Sequence, residues 1–127
     1  MEYGFSKTVD LPFDKAVEKV TDELKKVGFG VLTEIDVKET MKKKLNVDYK
    51  NYKILGACNP PIAHKALQIE EELGLLLPCN VIVYEKEGKC AVSVFNPMIM
   101  TQLIDNKEMI AIAEEVKSKL LTVLEKV

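Results

Sequence analysis

The sequence predicts an α+β domain, a two-layer sandwich in which one five-stranded sheet is covered by helices. Five short segments alternate apolar and polar residues with a period of two, as strands with one half-buried face do. Between them, apolar residues recur at three- and four-residue spacing, the mark of amphipathic helices. Their order is strand, helix, strand, short helix, strand, helix, strand, strand, helix, or β-α-β-(α)-β-α-β-β-α. It supplies one sheet and at least two helices able to cover it, and layering helix on sheet buries both apolar faces.

Tyr3 to Val9 sets Tyr3, Phe5, Lys7 and Val9 against Gly4, Ser6 and Thr8 and predicts the first strand. Asp10, Leu11 and Pro12 signal a helix start, and Phe13, Ala16, Val17, Val20, Leu24 and Val27 form its inner stripe. Gly28 ends it as a left-handed cap. Phe29, Val31, Thr33 and Ile35 alternate as the second strand. Asp36, with Glu39 three residues on, then resembles a capping box opening a short helix with Val37, Met41 and Leu45 inward.

Tyr52 to Cys58 is the third strand, with Tyr52, Ile54, Gly56 and Cys58 on one face. Asn59 caps the next helix and Pro60 takes its first position, where a missing amide costs nothing. The stripe Ile62, Ala66, Ile69, Leu73 predicts a helix that runs to Gly74. Cys79 to Glu85 and Cys90 to Phe95 form the last two strands around a polar hairpin turn. Met98 to Asp105 reads as a loop, and Met109, Ile112, Ala113, Val116, Leu120, Val123 and Val127 line a final helix. Ile110 and Leu121 widen that stripe beyond what one sheet needs, which suggests a subunit contact.

At 127 residues and 47% hydrophobic, the chain suits a single domain over residues 1–127 with a core that needs no disulfide. Basic and acidic residues are interspersed and the net charge is -2, which argues against a nucleic-acid binder or a membrane-surface partner. No apolar run approaches the roughly eighteen residues of a membrane span, and Met1 to Phe5 does not open a secretory signal. Cys58, Cys79 and Cys90, odd in number and irregularly spaced, suit reduced thiols; a cytoplasmic protein is expected.

Several chemistries are excluded by composition. All 18 basic residues are lysines, so no guanidinium can clamp a phosphate or act as an arginine finger. His64 is the only histidine, which removes metal sites built on two or three imidazoles. Ser6, Ser93 and Ser118 are the only serines and none stands in a nucleophile elbow.

What remains is a pair of thiols beside prolines and asparagines. In Cys58-Asn59-Pro60-Pro61 the sulfur precedes a helix amino terminus, where a thiolate can be stabilised. Pro78-Cys79-Asn80 repeats the theme. The alternative for each thiol is a small buried apolar residue, and Cys90, in phase with Val92 and Val94, is expected in the core. A helical connection usually joins parallel strands, which would put Cys58 and Cys79 at opposite ends of the sheet; antiparallel strands would bring them to one edge.

His64 faces away from the helix stripe and is expected at the surface. Its place in the opening turns still admits a Cys-His pair, or a metal set of Cys58, Cys79 and His64. Met98 and Met100 add sulfur that favours a thiophilic metal such as copper(I), unless they simply fill gaps under a helix. Glu70-Glu71-Glu72 and Lys42-Lys43-Lys44 are read as solvated helix faces, and Asn59, Asn80 and Asn96 as caps or turn residues.

Three blocks, Phe29 to Val37, Lys53 to Pro60 and Gly74 to Val81, resemble signature segments of the domain of unknown function 302 family. The resemblance spans nearly the whole chain. It implies a small fold similar to one half of the TATA-box-binding protein, with a curved, mostly antiparallel sheet backed by helices and often a homodimer, and it implies no activity. Three functions remain open. One is a non-enzymatic module binding a small polar ligand or soft metal at Cys58, Asn59, Cys79 and Asn80. The others are a thiol enzyme or redox sensor using Cys58, and a structural protein acting as a homodimer.

Overall fold

β1 (Gly4–Val9) and β2 (Gly30–Asp36) stand at opposite edges of one five-stranded sheet in the computed structural model, which describes residues 2–127. α1 (Phe13–Lys26) joins them by crossing beneath the whole sheet. Between the edges lie β5 (Lys89–Phe95), β4 (Cys79–Lys86) and β3 (Tyr52–Cys58), giving the order β1-β5-β4-β3-β2. Every neighbouring pair is antiparallel, β3 and β4 included. The expected α+β sandwich is therefore present, with the two cysteine-bearing strand ends side by side.

α1 and the long α5 (Lys107–Lys126) cover one face. Ala16, Val20 and Leu24 of α1 and Leu120 and Val123 of α5 meet Leu55, Val81, Val83, Val92 and Val94 of the sheet, all essentially buried. Gly28, at φ +86°, ends α1 in a Schellman motif: Phe29 N–H donates to Leu24 O and Gly28 N–H to Lys25 O. The Lys7 ammonium donates to the carbonyl oxygens of Leu124, Glu125 and Val127, tying β1 to the negative end of the α5 dipole. Among the described residues no helix is long and apolar enough to cross a membrane.

α2 (Val37–Leu45) opens as expected, the Asp36 carboxylate accepting from Glu39 N–H at 3.0 Å. α1 begins at Phe13, directly after the Asp10-Leu11-Pro12 start signal, with Pro12 at its cap position and no side-chain cap bond. Two local expectations are corrected. α3 (Pro60–Ile69) stops before Leu73: Glu70 turns extended, its carboxylate accepts from Glu72 N–H, and Glu71–Leu76 continues as a 3₁₀ helix. Three consecutive carboxylates at the negative end of a helix dipole disfavour the longer α-helix. Within Met98 to Asp105, Ile99–Leu103 forms a short helix, α4, which buries Met100.

Among the described residues neither α1 nor α5 covers the other face of the sheet, and α2 packs against β2 and β3. Cross-strand pairs place Ser6, Ser93, Ile82, Ile54 and Ile35 in one row and stack Tyr52 on Tyr84 at 5.1 Å between centroids. On α5, Ile110 is exposed and Leu121 half-buried.

Candidate functional site

The antiparallel ladder puts Ala57 opposite Cys79 and Gly56 opposite Asn80, so β3 ends where β4 begins. Over this sheet end lie α3, the 3₁₀ helix and α5, and between them is a cleft of about 340 Å³. Cys58 and Cys79 both line it, as do Asn59 and Met100. That volume falls in the range of small-molecule sites.

Its walls are overwhelmingly apolar. Phe29, Ile62, Leu73, Ile112 and Val116 supply much of them, and no charged side chain lines the cleft. Cys79 is 5% exposed, and burial, with the neighbouring Cys58 adding to it, pushes its thiol up to about 11. The third cysteine, Cys90, lies in the core, where burial and Glu85 push its thiol up.

The start of α3 forms one rim. The Asn59 side-chain oxygen accepts from Ile62 N–H at 3.3 Å, and Asn59 O accepts from Ala63 N–H at 2.9 Å. Pro60 and Pro61 have no N–H. The first turn of this helix thus has no free amide left to receive an anion.

Not all residues singled out in the sequence meet here. Asn80 is exposed and outside the cleft, across from Gly56 on the uncovered sheet face. His64 is exposed on α3 and does not line the cleft. Among the described residues no three of His, Cys, Asp and Glu are grouped to hold a metal ion, so Cys58, Cys79 and His64 do not form a set. Met98 lies beside α5 at a separate shallow depression.

Leu32 and Thr33 line the cleft without having been singled out. The β2–β3 register shifts between Val31 and Thr33, leaving Leu32 as an inserted residue that is 67% exposed. The signal was an apolar Leu32 on the polar side of an otherwise regular alternation. Gly56 makes the arrangement possible. A β-carbon there would lie 2.8 Å from Pro78 Cγ and collide with the Thr33 hydroxyl.

No curated protein matches this sequence. The crystal structure of an uncharacterized conserved protein DUF302 from Bacillus stearothermophilus has a TM-score of 0.91 to this fold, with 25% identity over 99% of this chain and 98% of that one. The model of the domain of unknown function DUF302 matches residues 5–127, and the chain belongs to that family.

Proposed function

We propose that the protein is a non-enzymatic binding module that takes a small, neutral, largely apolar molecule in the cleft between Cys58 and Cys79. The observation that carries this reading is a cleft of about 340 Å³ without one charged lining side chain. A strongly polar ligand, which the two Cys-Asn pairs suggest, would leave most of its hydrogen-bonding groups unmet against these walls at a cost of roughly 1–3 kcal/mol each. A thiol enzyme built on Cys58 would need a base beside the sulfur, and the lining offers no titratable side chain besides the two thiols.

The test uses phenylnaphthylamine, a neutral fluorophore that brightens in apolar surroundings. Its emission is expected to rise with the wild-type protein and to stay low with Ala63→Phe, which fills the cleft from a half-exposed wall position. Equal binding by both proteins would refute the assignment. A soft metal held by the two sulfurs is the competing occupant; copper(I) bound by the wild type and lost in both Cys58→Ala and Cys79→Ala would replace the apolar ligand.

Self-association is a second reading, favoured by the uncovered sheet face. Its central rows are Ser, Thr, Ala, Ile and Tyr, and the Lys50 ammonium, 4.9 Å over the Tyr84 ring, is a charge that a second copy presenting the same face would have to displace. Five strands about 4.8 Å apart, three outward residues long, give roughly 500 Å² per partner, near the lower bound of about 1,000 Å² total for a specific interface. Exposed Tyr49, whose ring centroid lies 6.4 Å from that of Tyr52, extends the patch. Sedimentation equilibrium should show a dimer that Ile82→Lys dissociates; a monomeric wild type would refute it.

A further inference from the structure

We infer that the ligand of the cleft lies end-on, a hydrocarbon body with its one polar group at the tip, and leaves that group in water at the mouth marked by Leu32 and Leu67. This rests on the binding reading above and adds how the ligand is polarised and which way it points.

The lining residues sort by exposure. Phe29, Ala57, Leu73, Cys79, Met100 and Val116 are each at most 5% exposed and form the closed end, whereas Leu67 is 37% and Leu32 67% exposed. Both leucines therefore stand where the cleft meets solvent, Leu32 carried there by the bulge of β2 and Leu67 by α3.

The side chains of the closed end offer a polar group no strong partner. They present carbon and the sulfurs of Cys79 and Met100, which pair weakly with donors and acceptors. Among the described residues no buried side-chain nitrogen or oxygen lacks a hydrogen-bond partner, so none waits there for a ligand. The two other polar side chains of the lining turn elsewhere: the Thr33 hydroxyl lies over Gly56, and the Asn59 NH₂ group lies against Gly28, which does not line the cleft. A ligand that carried its polar group inward would strip that group of water without replacing it. With the group at the tip, the head keeps its water and the whole body is buried. At organic packing density, about 340 Å³ holds a body of roughly eight to ten carbons.

The experiment is displacement of phenylnaphthylamine, at neutral pH, from the wild type and from Leu32→Lys, a change at an exposed position of the mouth. The probes are octanol with a terminal hydroxyl, its isomer with the hydroxyl at mid-chain, octyl sulfate and octyltrimethylammonium. From the wild type, terminal octanol is expected to displace the fluorophore at least roughly 5-fold more effectively than the isomer, which must bury its hydroxyl without a partner or leave half its carbons in water. In Leu32→Lys the new ammonium stands beside the head group. Relative to terminal octanol, octyl sulfate is expected to gain and octyltrimethylammonium to lose roughly 2- to 5-fold each, the size of one charge pair in contact with water. Isomers that displace equally, or charged probes whose ranking Leu32→Lys does not alter, would overturn the end-on arrangement and leave the apolar cleft standing. A wild-type protein that does not brighten the fluorophore would overturn both.

Discussion

Ala57 stands directly opposite Cys79 in the β3–β4 ladder. A helical connection such as the one from Asn59 to Pro78 commonly joins parallel strands, and that arrangement would have sent Cys58 and Cys79 to opposite ends of the sheet. The antiparallel pairing instead makes them walls of one cleft, and it has consequences for stability that can be measured residue by residue.

The first concerns Cys79. Its thiol titrates at about 11 in the fold against 9.0 when unperturbed, with burial the larger cause and Cys58 the smaller. A raised value means the native state holds the proton more tightly than the unfolded chain does. The stabilisation is complete below pH 9.0 and is lost as the pH climbs toward about 11. Two units set an upper limit of about 2–3 kcal/mol. Urea midpoints should therefore fall across this window and fall less in Cys79→Ala; Cys90, shifted in the same direction, accounts for a remaining slope. A wild-type midpoint that stays level across the window would contradict the buried thiol.

Gly56 gives a steric prediction. Thr33 and Pro78 close over the space its side chain would need, so Gly56→Ala should cost roughly 1–3 kcal/mol, as overpacking does. Gly74 is the control, because a β-carbon there meets nothing within 4 Å. Gly74→Ala should change stability by no more than about 1 kcal/mol, toward stabilisation if anything. Comparable losses for both glycines in chemical denaturation would mean that the close approach at Gly56 does not matter.

The elements and their order were legible because each has a local cause. The stripe Ala16, Val20, Leu24 must face a core, Asp36 must cap before Glu39, and Gly28 must stop α1. The cleft was half legible. Cys58, Asn59 and Cys79 announced themselves through their prolines, but whether they meet depends on strand direction, which no local signal fixes. Leu32 and Thr33 enter through a bulge, a property of the pairing between two strands and not of either alone. The end of α3 was misplaced for a similar reason. Leu73 is buried as its spacing requires, yet three carboxylates change the backbone that carries it there from α to 3₁₀. Asn80 shares its neighbour's motif but points to the other face, because alternation along β4 separates it from Cys79.

Glu23 makes a prediction in acid. It is 5% exposed on α1 and pairs with the Lys26 ammonium at 2.9 Å. The hydrogen bond from Lys26 holds its carboxyl below the usual 4.5, against the opposing effect of burial, and Lys19 adds a weaker attraction. Since the folded value is depressed, the stabilisation is present above pH 4.5 and disappears as the pH falls through the lower native value. Thermal midpoints measured downward from neutral pH should drop less steeply in Glu23→Gln than in the wild type. Parallel curves for the two proteins would show that the pair adds nothing to acid stability.

Gly28 and Asn59 should prove energetically coupled, although they lie in different elements. Gly28 holds φ +86°, where an alanine is strained by about 1 kcal/mol. Its new β-carbon would also lie 2.9 Å from Asn59 Nδ2, so the amide must move and its oxygen must leave Ile62 N–H. Gly28→Ala thus damages two things at once, the Schellman end of α1 and the cap of α3, for an expected total of roughly 2 kcal/mol. Asn59→Ala alone removes the cap at about 1 kcal/mol. Once the Asn59 side chain is gone, Gly28→Ala meets no obstacle there and only the strain remains. The double variant should then be more stable than the sum of the single losses implies, by about 1 kcal/mol in a double-mutant cycle. Strict additivity would mean that the Asn59 amide moves aside freely and keeps its bond from Ile62 N–H.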